Sequence, residues 1–338
     1  MAPTRPEFLS NVWKDGIFEN RVAFVTGGAG SICSAQTRAL VYLGANACII
    51  GRNPEKTEKA AKEIAQVRKG AKVIGIGNVD VRNFESLKGA ADRCVEELGG
   101  IDFVMFVPPQ YLILEGALLT FTAASAGAAG NFVAPLAGLS PGGFKAVIDI
   151  DTIGTFNTIK ATIPHLVQSA SDNPNPPPLG QVGTGGRILA VSATFHYTGL
   201  PLQAHVAAAK AGVDSLMASV ALEYGPFGVT SNVIAPGAIK GTEGMERLAS
   251  SSVSEKELTE GVPSGRWGTI RDIADATVWL FSDAGNYVNG HTLVVDGGSW
   301  RRPGSMSVGL DTGMKYPDFL ISGHSKNVKD GRKTTSKL

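Results

Sequence analysis

Short apolar runs alternate with helix-period segments from residue 21 to residue 295, and this rhythm admits very few folds. The runs at 21–26 (RVAFVT), 47–50, 72–76, 101–105, 187–191, 230–234 and 291–295 read as strands. Between them, 35–43, 53–67, 83–98, 144–167, 204–223 and 272–281 carry helical spacing. Strands that are apolar throughout have no face suited to water, so their sheet must be covered on both sides. Strand–helix repetition achieves this with parallel strands and crossover helices. The chain therefore reads as α/β: a single Rossmann-type, doubly wound parallel sheet with helices on both faces. No linker divides 18–300, which reads as one reductase-type domain after an N-terminal extension (1–17) and before a C-terminal tail (301–338).

Two segments break the rhythm. Residues 169–186 (SASDNPNPPPLGQVGTGG) are rich in Pro, Asn and Gly and read as a surface loop. Residues 106–125 (FVPPQYLILEGALLTFTAAS) are apolar without a period and fall where a strand should end in a ligand-facing turn. This stretch reads either as an inserted lid over an apolar ligand or as a translated intron, since long insertions at such turns are disfavoured.

Composition excludes several function classes. A net charge of +1 gives no reason to expect nucleic acid or an anionic membrane as a partner. The three cysteines lack metal or disulfide spacing, so they read as small buried hydrophobes of a reducing compartment, with no metal site. The longest apolar stretch, within 103–136, is broken by Pro108, Pro109, Gln110 and Glu115 and makes a poor membrane span. The chain ends Ser336-Lys337-Leu338 after a polar run, a tripeptide that a peroxisomal import receptor reads.

The turn after the first strand carries the clearest chemistry. Thr26, Gly27, Gly28, Gly30, Ser31 and Ile32 lie between a strand and a helix. There glycine lets the backbone approach a pyrophosphate, and the helix N-terminus offers unpaired N–H groups. The second strand leads into Gly51-Arg52-Asn53 with no acidic residue for a ribose 2′-hydroxyl. Arg52 instead offers a planar cationic fork for a 2′-phosphate, which points to NADPH rather than NADH. Asp80 and Val81, after the third strand, are placed to meet an adenine, whose amino group a carboxylate can accept.

Eight segments together resemble the short-chain dehydrogenase/reductase family over about 18–300, and within it the peroxisomal 2,4-dienoyl-CoA reductases, fungal ones especially. They are VAFVTGGAGSIC (22–33), GRNPEKTEKAA (51–61), GAAGNFVAPL (127–136), FKAVIDIDTIGTFNT (144–158), VSATFHYTG (191–199), AHVAAAKAGVDSL (204–216), SNVIAPGAIKGTEGMERL (231–248) and VVDGGSW (294–300). Two departures stand out: Ser31 and Cys33 occupy places that are glycine in the family's TGGxxGIG turn, and 106–125 has no counterpart.

The resemblance implies an active site built on Asn, Ser, Tyr and Lys. By position, Asp151 replaces the Asn, Ser192 or Ala193 stands for the Ser, Val206 replaces the Tyr, and Lys210 is retained. Phe195 matches the displaced tyrosine that mitochondrial members use, and Tyr197 lies off both positions. The peroxisomal group shares this lack of a phenolic acid. The resemblance implies that Asp151 and Asp296 hold a water as proton donor, while Lys210 meets the nicotinamide ribose. It likewise implies that Pro236, Gly237 and Thr242 meet the cofactor, that Asn131, Phe132 and Ser192 line the acyl-CoA site, and that the protein is a homo-oligomer. His196 and His205 have no partner legible in the sequence and read as structural. The implied activity is NADPH-dependent reduction of 2,4-dienoyl-CoA to 3-enoyl-CoA in peroxisomal β-oxidation. Alternatives are a related peroxisomal reductase of another thioester or carbonyl, or a catalytically silent NADP-binding relative.

Overall fold

The computed structural model describes residues 4–106, 134, 136–174, 185–199, 203–242 and 259–301. Seven strands form one sheet: β1 (Val22–Thr26), β2 (Asn46–Ile50), β3 (Val73–Ile76), β4 (Phe103–Phe106), β5 (Arg187–Val191), β6 (Thr230–Pro236) and β7 (Thr292–Val295). Their order is β3-β2-β1-β4-β5-β6-β7, and every pairing is parallel. The chain thus winds outward from β1 in one direction and from β4 in the other. Thr26 and Phe106 are register partners at the reversal, and the crevice beyond such carboxyl ends is where doubly wound sheets bind ligands.

Alternation along the strands divides the core in two. Ala23 and Val25 of β1 pack with α2 (Ser31–Tyr42), α3 (Pro54–Ala65) and α9 (Ile270–Phe281). Val22 and Phe24 face the opposite way, toward α4 (Phe84–Leu98), α6 (Gly154–Asp172) and α8 (Ala204–Tyr224). Helix starts follow local chemistry. The Asn53 and Asn83 carboxamides accept N–H groups of Lys56 and Ser86 to open α3 and α4, and Thr269 with Asp272 forms a capping box on α9.

Several elements differ from the sequence reading. Segment 1–17 contributes α1 (Arg5–Phe8), and Phe8, Leu9 and Phe18 are buried in the core. Asp275 of α9 fastens this segment by accepting the Ser10 N–H, the Ser10 hydroxyl and the Trp13 indole N–H at 3.1, 3.0 and 2.7 Å. The helix expected over 144–167 is instead α5 (Pro141–Ile148), a π-helical turn (Asp149–Ile153) and α6. The loop expected from 169 begins only after Asp172. The Ser169 hydroxyl donates to buried Asp102 at 2.6 Å and accepts the Gly186 N–H at 3.1 Å, which anchors the last turn of α6. A short helix, α7 (Phe195–Thr198), was not anticipated. Residues 107–125 of the inserted stretch, the centre of the 169–186 loop and the tail beyond 301 lie outside the described residues.

Candidate active site

At the mouth of the crevice, β1 ends at Thr26 and the chain turns into α2 through Gly27, Gly28 and Gly30. A Cβ on Gly28 would sit 2.5 Å from the Ile49 Cβ, so only glycine lets this turn lie on β2. Gly30 is the N-cap of α2 and makes no side-chain cap hydrogen bond, while Ser31 and Ile32 form the first turn. The positive end of the helix dipole is therefore left for an anion. Cys33, in one of the missing glycine places, is buried and directs its thiol at the Thr26 carbonyl 3.4 Å away.

Behind this turn is a cavity of about 130 Å³, lined among others by Gly27, Arg52, Val81, Phe106 and Thr155. Arg52 stands at its edge without a hydrogen bond or ion pair among the described residues. Asp80, expected to meet adenine, is gripped by Arg82, whose Nε and Nη2 donate to Oδ1 and Oδ2 at 3.0 and 2.5 Å. That grip, aided by the charge of Arg52, holds the Asp80 carboxyl below its usual range. The Val81 carbonyl accepts the Asn157 amide at 2.9 Å, tying the wall to α6. Thr155 is a lining residue that the sequence did not single out: it is 2% exposed and its hydroxyl has no partner among the described residues. An orphaned hydroxyl beside a glycine-only turn and a helix N-terminus fits a bound dinucleotide, whose polar groups would satisfy it.

Deeper in, the π turn between α5 and α6 inserts an extra residue into the helix and aims Asp151 inward, as such bulges commonly do at functional sites. Asp151 Oδ2 lies 3.5 Å from Lys210 Nζ of α8, and both side chains are 1% exposed. Lys210 also donates to the Val191 carbonyl at 3.5 Å, at the carboxyl end of β5. Burial raises the Asp151 carboxyl to about 6 against the opposing pull of Lys210. Burial also lowers Lys210, opposed by the charges of Asp151 and then Asp214. Ser192 is buried just beyond β5 and donates its N–H to Ile234 at 2.7 Å. Val206, where a phenol would stand, packs with Val147, Ala193 and Ala209 in a small apolar cluster.

Asp296 sits on a separate element, the turn after β7. Its Oδ1 accepts the Gly298 N–H at 2.8 Å and its Oδ2 accepts the Trp300 N–H at 2.7 Å. Pro236 ends β6, and Gly237 donates its N–H to Val295 at 3.0 Å. A Cβ on Gly237 would lie 2.6 Å from the Asp296 Cβ, so glycine permits this close packing. The Thr242 hydroxyl donates to the Ile239 carbonyl at 2.9 Å. Asn131 and Phe132 lie outside the described residues. His196, which showed no partner in the sequence, has one in space: its Nε2 is 3.1 Å from Asp214 Oδ2. Among the described residues there is no group of three or more His, Cys, Asp or Glu able to hold a metal, and no helix is long and apolar enough to cross a membrane.

Known proteins resemble this arrangement along most of the chain. A family model described as Enoyl-(Acyl carrier protein) reductase matches residues 117–299. The peroxisomal 2,4-dienoyl-CoA reductase SPS19, (3E)-enoyl-CoA-producing, of Saccharomyces cerevisiae is 50% identical over 318 residues, 94% of each chain. The peroxisomal 2,4-dienoyl-CoA reductase of Danio rerio is 33% identical, over 86% of this chain and 85% of its own. Among solved structures, a short chain dehydrogenase from Bacillus anthracis is 29% identical, with a TM-score of 0.66 over 84% of this chain and 97% of its own.

Proposed function

Because the chain belongs to the short-chain dehydrogenase/reductase family, we propose that this oxidoreductase reduces 2,4-dienoyl-CoA thioesters to 3-enoyl-CoA with NADPH. The observation that carries the proposal is the buried Asp151–Lys210 pair beside an apolar Val206. A reductase that protonates oxygen has use for a phenolic acid at 206, whereas this site offers a carboxyl near neutrality instead. The names of the two curated relatives agree with it. Arg52, uncommitted at the cavity edge, is the reason for preferring NADPH, because a guanidinium matches a 2′-phosphate.

When bound, the nicotinamide supplies a hydride to the far end of the diene. Negative charge then spreads toward the thioester oxygen, and a proton must reach the carbon next to the carbonyl, leaving the double bond at position 3. Asp151 is the acid for that proton, relayed through a water. Asp296 keeps lone pairs beyond the two N–H bonds it accepts, and these are its means of holding that water. Lys210 holds the nicotinamide ribose and lends positive charge to the developing anion. Ser192 lines the acyl site, and Thr26, Gly27, Gly28, Gly30, Ser31, Ile32, Asp80, Val81, Pro236, Gly237 and Thr242 border the cofactor.

The test is loss of NADPH absorbance with a 2,4-dienoyl-CoA, together with the product double bond located by NMR. Tight NADPH binding with no oxidation by dienoyl-CoA would overturn the assignment. Asp296→Asn should cut turnover at least tenfold with nearly unchanged NADPH affinity, and wild-type turnover would remove the water mechanism. We place the protein in the peroxisome, as its relatives are named, with Ser336-Lys337-Leu338 as the import signal. A fluorescent fusion lacking those three residues should then stay outside the organelle. A homo-oligomer accords with the exposure of Ile153 and Phe156, and light scattering measures it.

A further inference from the structure

Beyond the pair just described lies a second knot of polar side chains. Asp214 is on α8, four residues after Lys210, and residues at that spacing share one helix face about 5–6 Å apart. The Tyr197 hydroxyl donates to Asp214 Oδ2 at 2.8 Å, and His196 Nε2 approaches the same oxygen at 3.1 Å. Both side chains come from α7, and their rings lie with centroids 3.9 Å apart. Tyr197 also faces Trp300, at 6.5 Å, in the turn that Asp296 caps. The side chains of His196 and Asp214 are only 5% and 11% exposed, and Asp214 Oδ1 is buried without a partner among the described residues. The Tyr197 hydrogen bond and the adjoining His196 ring hold the carboxylate in place.

We propose that Asp214 is a positioning residue for the reduction: it supplies a standing negative charge one turn from Lys210, and His196 and Tyr197 fix where that charge sits. The inference rests on the function proposed above. Its reason is the cycle of Asp151. Whenever Asp151 carries the proton destined for the substrate, Lys210 loses its near counter-charge while remaining wholly buried. An ammonium in that position tends to shed its proton. Asp214 takes no part in that proton transfer, so its carboxylate still faces Lys210 and favours the ammonium when the anion forms. The charged and titratable groups facing Lys210 are Asp151 from the π turn and Asp214 from its own helix, with His196 and Tyr197 of α7 behind Asp214.

The measurement is the pH profile of kcat/KM with NADPH and a 2,4-dienoyl-CoA, beside the pH dependence of NADP+ binding followed by protein fluorescence. In Asp214→Asn the alkaline limb of NADP+ binding, which reports Lys210, should move to lower pH by about one unit, and Asp214→Glu should restore most of it. Tyr197→Phe should move it the same way by less. A structural role alone would lower activity at every pH and leave the limb in place, and that result overturns the inference. Should Asp214→Asn fail to fold, the Tyr197→Phe/His196→Gln double variant carries the test, and an unmoved limb there overturns it equally. Parallel series on Asp151→Asn and Lys210→Met separate the two levels. If they lose turnover while Asp214→Asn keeps the wild-type profile, only this inference fails. If they too behave as wild type, the proposed function fails first.

Discussion

Replacing Asp151 by Asn should make the stability of this protein respond differently to acid. Burial raises the Asp151 carboxyl from 3.8 to about 6, so between those pH values the folded protein binds a proton that the unfolded chain has released. Stability then falls as pH rises through that window and is level above it. The difference of about two pH units corresponds to about 3 kcal/mol, a burden that the wild type carries at neutral pH and sheds below pH 4. Asparagine has nearly the same shape and no such titration. Urea unfolding of wild type and Asp151→Asn, followed by tryptophan fluorescence from pH 4 to 7.5, isolates the effect because every other carboxyl titrates in both proteins. The gap between the two stabilities should change by about 3 kcal/mol across the window, in favour of the variant at the higher pH. Parallel stability curves would refute the reasoning, because Asp151 would then ionise in the fold as it does in water. The same titration should appear in kcat/KM as a property of the Asp151–Lys210 pair and vanish in the variant.

Arg52→Ala should weaken NADPH about 10- to 100-fold and leave NADH nearly unaffected, the range expected for one charge-assisted contact to phosphate. Equal losses for the two cofactors in a fluorescence titration would remove Arg52 from 2′-phosphate recognition. Val206→Tyr should not create a working phenolic acid: the added ring overfills the cluster of Val147, Ala193 and Ala209, costing about 1–3 kcal/mol by denaturant unfolding. A variant that turns over faster than wild type would contradict this. Asp275→Ala strips three donors from their acceptor and should cost about 2 kcal/mol, read as a lower melting temperature, and an unchanged melting point would mean that α1 contributes nothing.

The parallel sheet was legible because fully buried strands leave an uninterrupted apolar run, whose length and spacing survive in the sequence. β1 and β2 match the expected runs at 21–26 and 47–50 to within a residue. The start of α2 was expected at residue 35 and lies at Ser31, since helical periodicity is silent in the glycine turn and only the backbone's course shows that the helix begins there. The sequence marks 1–17 only as an extension, whereas burial of Phe8 and the three bonds to Asp275 depend on a helix more than 250 residues away. The π turn has no periodic signature at all, as one inserted residue reads as a small phase slip.

The sequence by itself determined the fold class, the glycine turn at 27–30, the absence of a phenol at Val206 and the presence of Lys210, all properties of residue type and local spacing. Only the tertiary structure decided which charges share a space. Asp151 and Lys210 are 59 positions apart and stand 3.5 Å from each other, both buried, and that burial is what brings Asp151 to about 6. His196 came to stand beside Asp214, 18 positions away, through the same principle. A carboxylate's chemistry is set by the solvent it loses and the charges it meets, and both are decided by the packing of distant segments, to which local pattern is blind.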